Sequence, residues 1–99
     1  MFLKLAHTNL DAYKYSRQLA LEVYRITKFF PVEERYTLCS QIRRAALSVH
    51  LNMSEGSTRK SENDRKRFYE IARGSVVEID TAIGFAFDLE DKLKISESI

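Results

Sequence analysis

The chain contains one cysteine, one proline, three glycines and no tryptophan. Cys39 has no second thiol to pair with, so an internal disulfide is excluded. So few breakers argue against a fold of many short strands and tight turns, and for long uninterrupted helices. No run approaches the roughly 18 to 20 apolar residues of a membrane span. The opening MFLKLAHTN lacks the long apolar stretch of a secretion signal. A cytoplasmic protein with no membrane partner is expected. The glycines are scattered, which removes a glycine-rich phosphate cradle from consideration.

What is present reads as globular. Hydrophobic residues make up 44% and charged residues 30% of the 99 positions, values that exclude a disordered chain. The length suits one domain, residues 1–99, and is too short for two separate cores. The net charge of +2 conceals a strong asymmetry. Residues 1–42 carry 6 basic and 4 acidic side chains, residues 43–73 carry 8 and 4, and residues 74–99 carry 2 and 6. Such a dipolar chain can attract an anionic partner at one place or a copy of itself.

Apolar periodicity predicts three helices. The first runs from about Leu10 to Phe29 with Thr8 or Asn9 as its cap, and Leu10, Tyr13, Ala20, Val23, Tyr24, Thr27 and Phe30 share one face. Phe30-Pro31 ends it, and Pro31 with Glu33 and Glu34 suits the start of the next helix. That second helix is predicted over Val32 to Ser54, with Leu38, Cys39, Ile42, Ala45, Ala46, Val49 and Met53 facing the core. Tyr36, Leu47 and Leu51 fall on its far side beside Arg44, so a second neighbour is required to cover them.

The third helix opens at Ser61, which with Asp64 approximates a capping box. Phe68, Ala72, Ser75, Ile79, Ala82, Ile83 and Ala86 form its core stripe, which reaches Leu89. Val77, Phe85 and Phe87 point away from that stripe, repeating the two-faced pattern of the second helix. Gly74 and Gly84 each cost a helix about 1 kcal/mol against alanine, and close approach by a neighbour would account for them. Glu90 to Ile99 is too short for a full fourth helix, although Ser96 could cap one.

Catalytic and metal chemistry find no support. His50 has Leu47 three positions before it, so the Glu-x-x-His step of helical di-metal sites is missing, and His7 lies apart in the leader segment. Both histidines read as surface or interface residues. Cys39 sits on the core stripe with no histidine at helical reach, as a small hydrophobe does. The pairs Glu33-Glu34 and Glu90-Asp91 are adjacent in sequence and diverge in space. No cofactor, no metal and no enzymatic activity are expected.

One feature asks for a ligand. Arg59, Lys60, Arg65, Lys66 and Arg67 cluster around the start of the third helix, where cations oppose the helix dipole by about 0.3 to 1 kcal/mol each. Two readings follow. The cluster is a solvated helix end with local ion pairs, or it is a phosphate-contacting patch completed by Arg44 or Arg73.

The segments Val23-Tyr24, Phe30-Pro31 with Glu34, Tyr36-x-Leu38, Gln41-Ile42-Arg43-Arg44-Ala45-Ala46, Asn52-x-x-Glu55-Gly56, Phe68, Ala72 and Gly74-Ser75 with Glu78 occur in order along the chain. In this combination the sequence resembles the bacterial four-helix-bundle proteins encoded in intervening sequences of 23S ribosomal RNA genes. The resemblance implies an all-α, up-and-down antiparallel bundle that assembles into a homo-oligomeric ring, a pentamer. It also implies kinship with nucleic-acid-binding accessory subunits of a reverse transcriptase. Two departures stand out. His50 replaces a proline that bends the second helix in relatives, so that helix is expected to run straighter here. The fourth helix is short or missing, so either neighbouring subunits fill the gap or the chain is a shortened and marginally stable product.

These readings assign roles. Arg44, Arg59, Lys60, Arg65, Lys66, Arg67 and Arg73 are candidates for RNA or DNA contact. Tyr36, Arg44, Leu47, Leu51, Val77 and Phe85 are candidates for the oligomer interface. Arg43 is expected to pair with Glu78, while Asn52 and Glu55 tie off the second helix and Gly56 takes a left-handed terminating conformation. The expected function is a non-enzymatic homo-oligomeric bundle that binds nucleic-acid backbone. The alternative is a scaffold or accessory subunit for a protein such as a reverse transcriptase, with no direct nucleic-acid contact.

Overall fold

The computed structural model describes residues 11–30 and 35–98, with side chains placed for 11–30 and 37–90. The predicted caps Thr8 and Asn9, the helix opening at Pro31 to Glu34, and the Tyr36 side chain lie outside the described parts. Helix α1 spans Asp11–Thr27, α2 spans Ser40–Thr58 and α3 spans Glu62–Ser98. A single π-helical turn, Arg35–Cys39, runs directly into α2. No strand occurs among the described residues. Among the described residues the fold is an all-α antiparallel bundle of three helices, with the fourth short or missing.

Side-chain pairs set the direction of each helix. Ser16 meets His50 while Thr27 meets Arg43, so α1 and α2 run antiparallel. Gln41 meets Glu78, Ser48 meets Ser75, and Gly56 lies beneath Tyr69, so α2 and α3 run antiparallel too. Helix α2 packs against both of its neighbours, whereas α1 and α3 barely meet. This is the contact pattern of a square bundle with one corner open, α1 and α3 being its diagonal.

The core follows the predicted stripes. Ala20 and Val23 from α1, Ile42, Ala45, Ala46 and Val49 from α2, and Ala72 and Ile79 from α3 are buried together. Cys39 is buried as well, its thiol 3.5 Å from the Thr27 carbonyl. Half of that cluster is alanine, which lets the backbones approach closely but leaves little apolar volume per protomer. Leu19, Phe30, Leu38, Met53, Ala82 and Ile83 pack against its edges while remaining partly exposed.

Several local expectations are corrected. Helix α1 stops at Thr27, where the Thr27 hydroxyl donates to the Val23 carbonyl at 2.8 Å and the next residues turn. Helix α2 continues four residues past Ser54, because Ser57 and Thr58 bond back to the Ser54 and Glu55 carbonyls. It passes through His50 without interruption, as expected without the proline.

Helix α3 does not end near Leu89 with a separate capped segment after it; it continues unbroken to Ser98. Its 37 residues reach about 55 Å at about 1.5 Å per residue. The chain is correspondingly elongated, 59 × 28 × 20 Å. The explanation offered for Gly74 and Gly84 also fails, since a Cβ at either position would meet nothing within 4 Å.

Candidate nucleic-acid interface

The basic cluster sits on the turn that joins α2 to α3. Arg59 adopts an extended conformation, with φ −79° and ψ 138°, and its amide bonds to the Gly56 carbonyl at 3.2 Å. Ser61 then starts α3, its hydroxyl accepting the Asp64 amide at 3.4 Å. Gly56 is therefore not a left-handed terminator; no described residue has positive φ. It is a contact glycine. A Cβ there would stand 2.7 Å from Tyr69 Cε1 and 3.1 Å from Phe68 Cβ, so the absence of a side chain lets α3 close over the end of α2.

The seven candidate cations divide sharply. Arg65 is committed to structure: its Nη1 donates to the Arg59 and Lys60 carbonyls at 3.0 and 2.8 Å, tying the turn to the first coil of α3. Arg59 pairs with Glu55 one turn back, and its guanidinium lies 5.1 Å from the centre of the Phe68 ring. Arg67 approaches the same ring at 4.9 Å, so two like charges converge on one aromatic side chain. Lys60 and Lys66 are exposed, with no side-chain partner among the described residues.

Arg44 and Arg73 are not brought to this cluster. Arg73 faces Glu70 at 3.5 Å, further along α3. Arg44 is exposed on the outer face of α2, fifteen residues and therefore about 22 Å from Arg59 along the helix axis.

The remaining predicted positions are placed as follows. Leu47 and Leu51 are 43% and 56% exposed on the outer face of α2, and Val77 and Phe85 are exposed on α3. Asn52 donates to the Ser48 carbonyl at 2.8 Å and Glu55 binds Arg59, so each supports the end of α2 separately.

Arg43 does not reach Glu78. It turns toward α1, where Nε donates to Thr27 Oγ1 at 2.7 Å, Nη2 donates to the Tyr24 carbonyl at 3.2 Å, and the guanidinium covers the Tyr24 ring at 4.9 Å. These bonds satisfy acceptors at the C-terminal end of α1, where positive charge is favoured. Glu78 accepts instead from Gln41 at 3.0 Å.

A second cluster was not foreseen. Ser16 Oγ donates to the Tyr13 carbonyl at 3.0 Å and lies 2.9 Å from His50 Nδ1, while the Tyr13 and His50 rings sit 4.7 Å apart. The single Ser16 hydroxyl proton can go to the Tyr13 carbonyl or to His50 Nδ1, and the direction of the Ser16–His50 bond follows the imidazole tautomer. Burial, then the charge of Arg17, pushes the His50 pKa below its usual value. The sequence signal was the position of His50, three residues from Leu47 but seven from Arg43, on the flank that faces α1. Among the described residues no group of three or more His, Cys, Asp or Glu side chains could hold a metal ion. No described helix is long and apolar enough to cross a membrane.

An open-cornered antiparallel bundle with a cationic turn defines the class: small helix-bundle proteins built on short-turn hairpins. Within that class the chain belongs to the 23S rRNA-intervening sequence protein family, whose sequence profile matches residues 8–93. No curated protein matches the chain.

Proposed function

We propose that this chain is a non-enzymatic, homo-oligomeric bundle of the bacterial cytoplasm whose cationic turn holds the phosphate backbone of RNA or DNA. The observation that carries the reading is the approach of Arg59 and Arg67 to Phe68, next to Lys60 and Lys66, whose ammonium groups have no partner among the described residues. Glu55 offsets only Arg59, and a phosphate joining Arg67, Lys60 and Lys66 would satisfy donors that have no acidic partner among the described residues. Recognition of this kind follows the backbone and is indifferent to base sequence.

The pentameric ring implied by the family resemblance would repeat the turn around an axis and multiply weak contacts into useful affinity. The protomer's exposed Leu47, Leu51, Val77 and Phe85 support self-association.

The test is titration of single-stranded and duplex RNA and DNA over a salt series. Affinity falls steeply with salt, and Lys60→Glu with Lys66→Glu lowers it more than tenfold and flattens the salt slope by about one unit per lost lysine. Reversing Arg59, Lys60, Lys66 and Arg67 together abolishes binding. Binding by that fourfold variant equal to the parent's removes the patch from the account. The same apolar faces favour a second reading, a scaffold or accessory subunit that holds a reverse-transcriptase-type protein. It would retain a protein partner at high salt and bind no nucleic acid.

A further inference from the structure

Positive charge on this bundle is not confined to the turn. Lys14, Arg17, Leu21 and Arg25 recur at spacings of three, four and four, so they form one stripe along α1. That stripe lies about 100° to 180° round α1 from Ser16, the residue that meets His50 of α2. All four side chains are exposed, with Leu21 at the centre, and Lys28 is exposed just beyond the end of the helix. Tyr24, at about 80° in the same sense, carries this face round to α2, because the Arg43 guanidinium covers its ring at 4.9 Å.

Carboxylates on this face are few. Helix α2 has none between Ser40 and Ser54, and α1 has only Asp11 and Glu22. Glu22 is held by Arg25, and Asp11 forms no ion pair. Lys14, Arg17 and Lys28 have no acceptor among the described residues. Lys14 and Arg17 are one turn apart, as are Arg25 and Lys28, and like charges so placed destabilise a helix. An anion laid along the stripe would offset that repulsion.

We infer that the stripe is a second phosphate-contact surface, along which a nucleic-acid strand held at the cationic turn continues down α1 toward Lys28. This rests on the nucleic-acid reading above and extends its site to another helix. Position favours a shared ligand. Ser16 is level with His50, so Lys14 stands at the same end of the bundle as the turn, about 10 Å from Arg59 along the axis. From there Lys14 to Arg25 covers about 16 Å, the length of about five phosphates in one strand of a duplex.

An acidic protein surface is the rival occupant, and the acidic part of α3 in a second copy is the nearest candidate. Its acids between residues 74 and 90 are Glu78, Asp80, Asp88 and Glu90. They fall on four sides of that helix, about 80° to 120° apart, so no single face of it mirrors the stripe. Glu78 is also bonded to Gln41. A polyanion whose charges repeat along its length matches a straight row of unpaired cations better.

Titration of the full chain with an oligouridine longer than the whole track, over a salt series, tests the inference. Lys14→Gln, Arg17→Gln and Lys28→Gln together change exposed side chains that have no acceptor, so helicity by circular dichroism and the sedimenting mass stay those of the parent. Affinity falls at least tenfold, and the slope of log affinity against log salt flattens by about two units, at about 0.7 per cation lost from a single strand. An unchanged slope overturns the inference. The turn still stands as the site if Lys60→Glu with Lys66→Glu weakens binding in the same series, whereas a parent that binds no oligouridine overturns both readings. A variant whose assembly changes while its slope does not assigns the stripe to contact between copies, and overturns the inference too.

Photocrosslinking reads position directly, even if the triple variant fails to fold. A benzophenone attached at Leu21→Cys, with Cys39 buried, captures the oligouridine, whereas the same probe at Val77→Cys on α3 captures little. The reverse ranking, or no capture from Leu21→Cys by a chain that binds the oligouridine, overturns the inference.

Discussion

Gly56 and Arg43 show how single residues set the geometry of this bundle. Gly56 is buried beneath Tyr69, so Gly56→Ala drives a methyl group into the ring edge and costs about 1 to 3 kcal/mol by overpacking. Gly74→Ala and Gly84→Ala meet open space and stabilise the protein by about 0.4 to 1 kcal/mol each through the unfolded chain. Urea denaturation of the three variants checks this, and equal effects at all three sites would contradict it. Arg43→Lys keeps the charge but gives up the fork that reaches both Thr27 and Tyr24, and Arg43→Ala removes it altogether. A loss of about 1.5 to 3 kcal/mol is expected for alanine, with incomplete rescue by lysine.

His50 supplies the pH dependence. Its folded pKa lies below the unfolded value near 6.5, so the unfolded chain binds more protons between the two and stability rises with pH there. The contribution is fully present above about pH 6.5 and is lost as pH falls through the folded pKa. Protonation adds a charge in a half-buried site beside Arg17. Thermal melts from pH 7.5 to 5 record a falling midpoint in the parent, and His50→Gln removes that part of the slope. A midpoint that rises on acidification in the parent alone would contradict this sign.

At the scale of elements, the sequence stripes and the observed core agree where apolar residues recur at three and four. Ile42, Ala45, Ala46 and Val49 in α2 and Ala72, Ser75 and Ile79 in α3 are buried as their spacing requires. Truncating the largest fully buried side chain among them, Ile42→Ala, costs about 2 to 5 kcal/mol in a core this thin.

What periodicity could not resolve was where helices end. Ser57 and Thr58 prolong α2 by bonding back to the chain, an outcome that composition alone reads as a loop. Helix α3 runs past Leu89 because no proline or glycine interrupts residues 85–98, although the polar ending suggested a break. The partner of Arg43 was equally hidden. Its angle on α2 placed it at the border of the core but did not say which neighbour stood there, and α1 rather than α3 does. For the basic turn, sequence located the cluster but not its division of labour: Arg65 is spent on carbonyls while Lys60 and Lys66 have no partner among the described residues.

On the scale of the whole molecule, the three described helices make two sides of a square. The core is small and alanine-rich, while several large apolar side chains, Leu51, Val77, Phe85 and Phe87 among them, stand in solvent on the protomer. Burying one such leucine or phenylalanine contributes about 1.5 to 3 kcal/mol, so the proposed contact between copies would add stability to the isolated fold. On that proposal thermal stability is expected to rise with protein concentration in melts over a dilution series, a dependence that a monomer does not show.

Native mass in solution tests this account most directly. Sedimentation equilibrium of the purified chain at micromolar concentration is expected to give a whole-number multiple of 11.5 kDa. A single well-behaved species of 11.5 kDa across that range would contradict it.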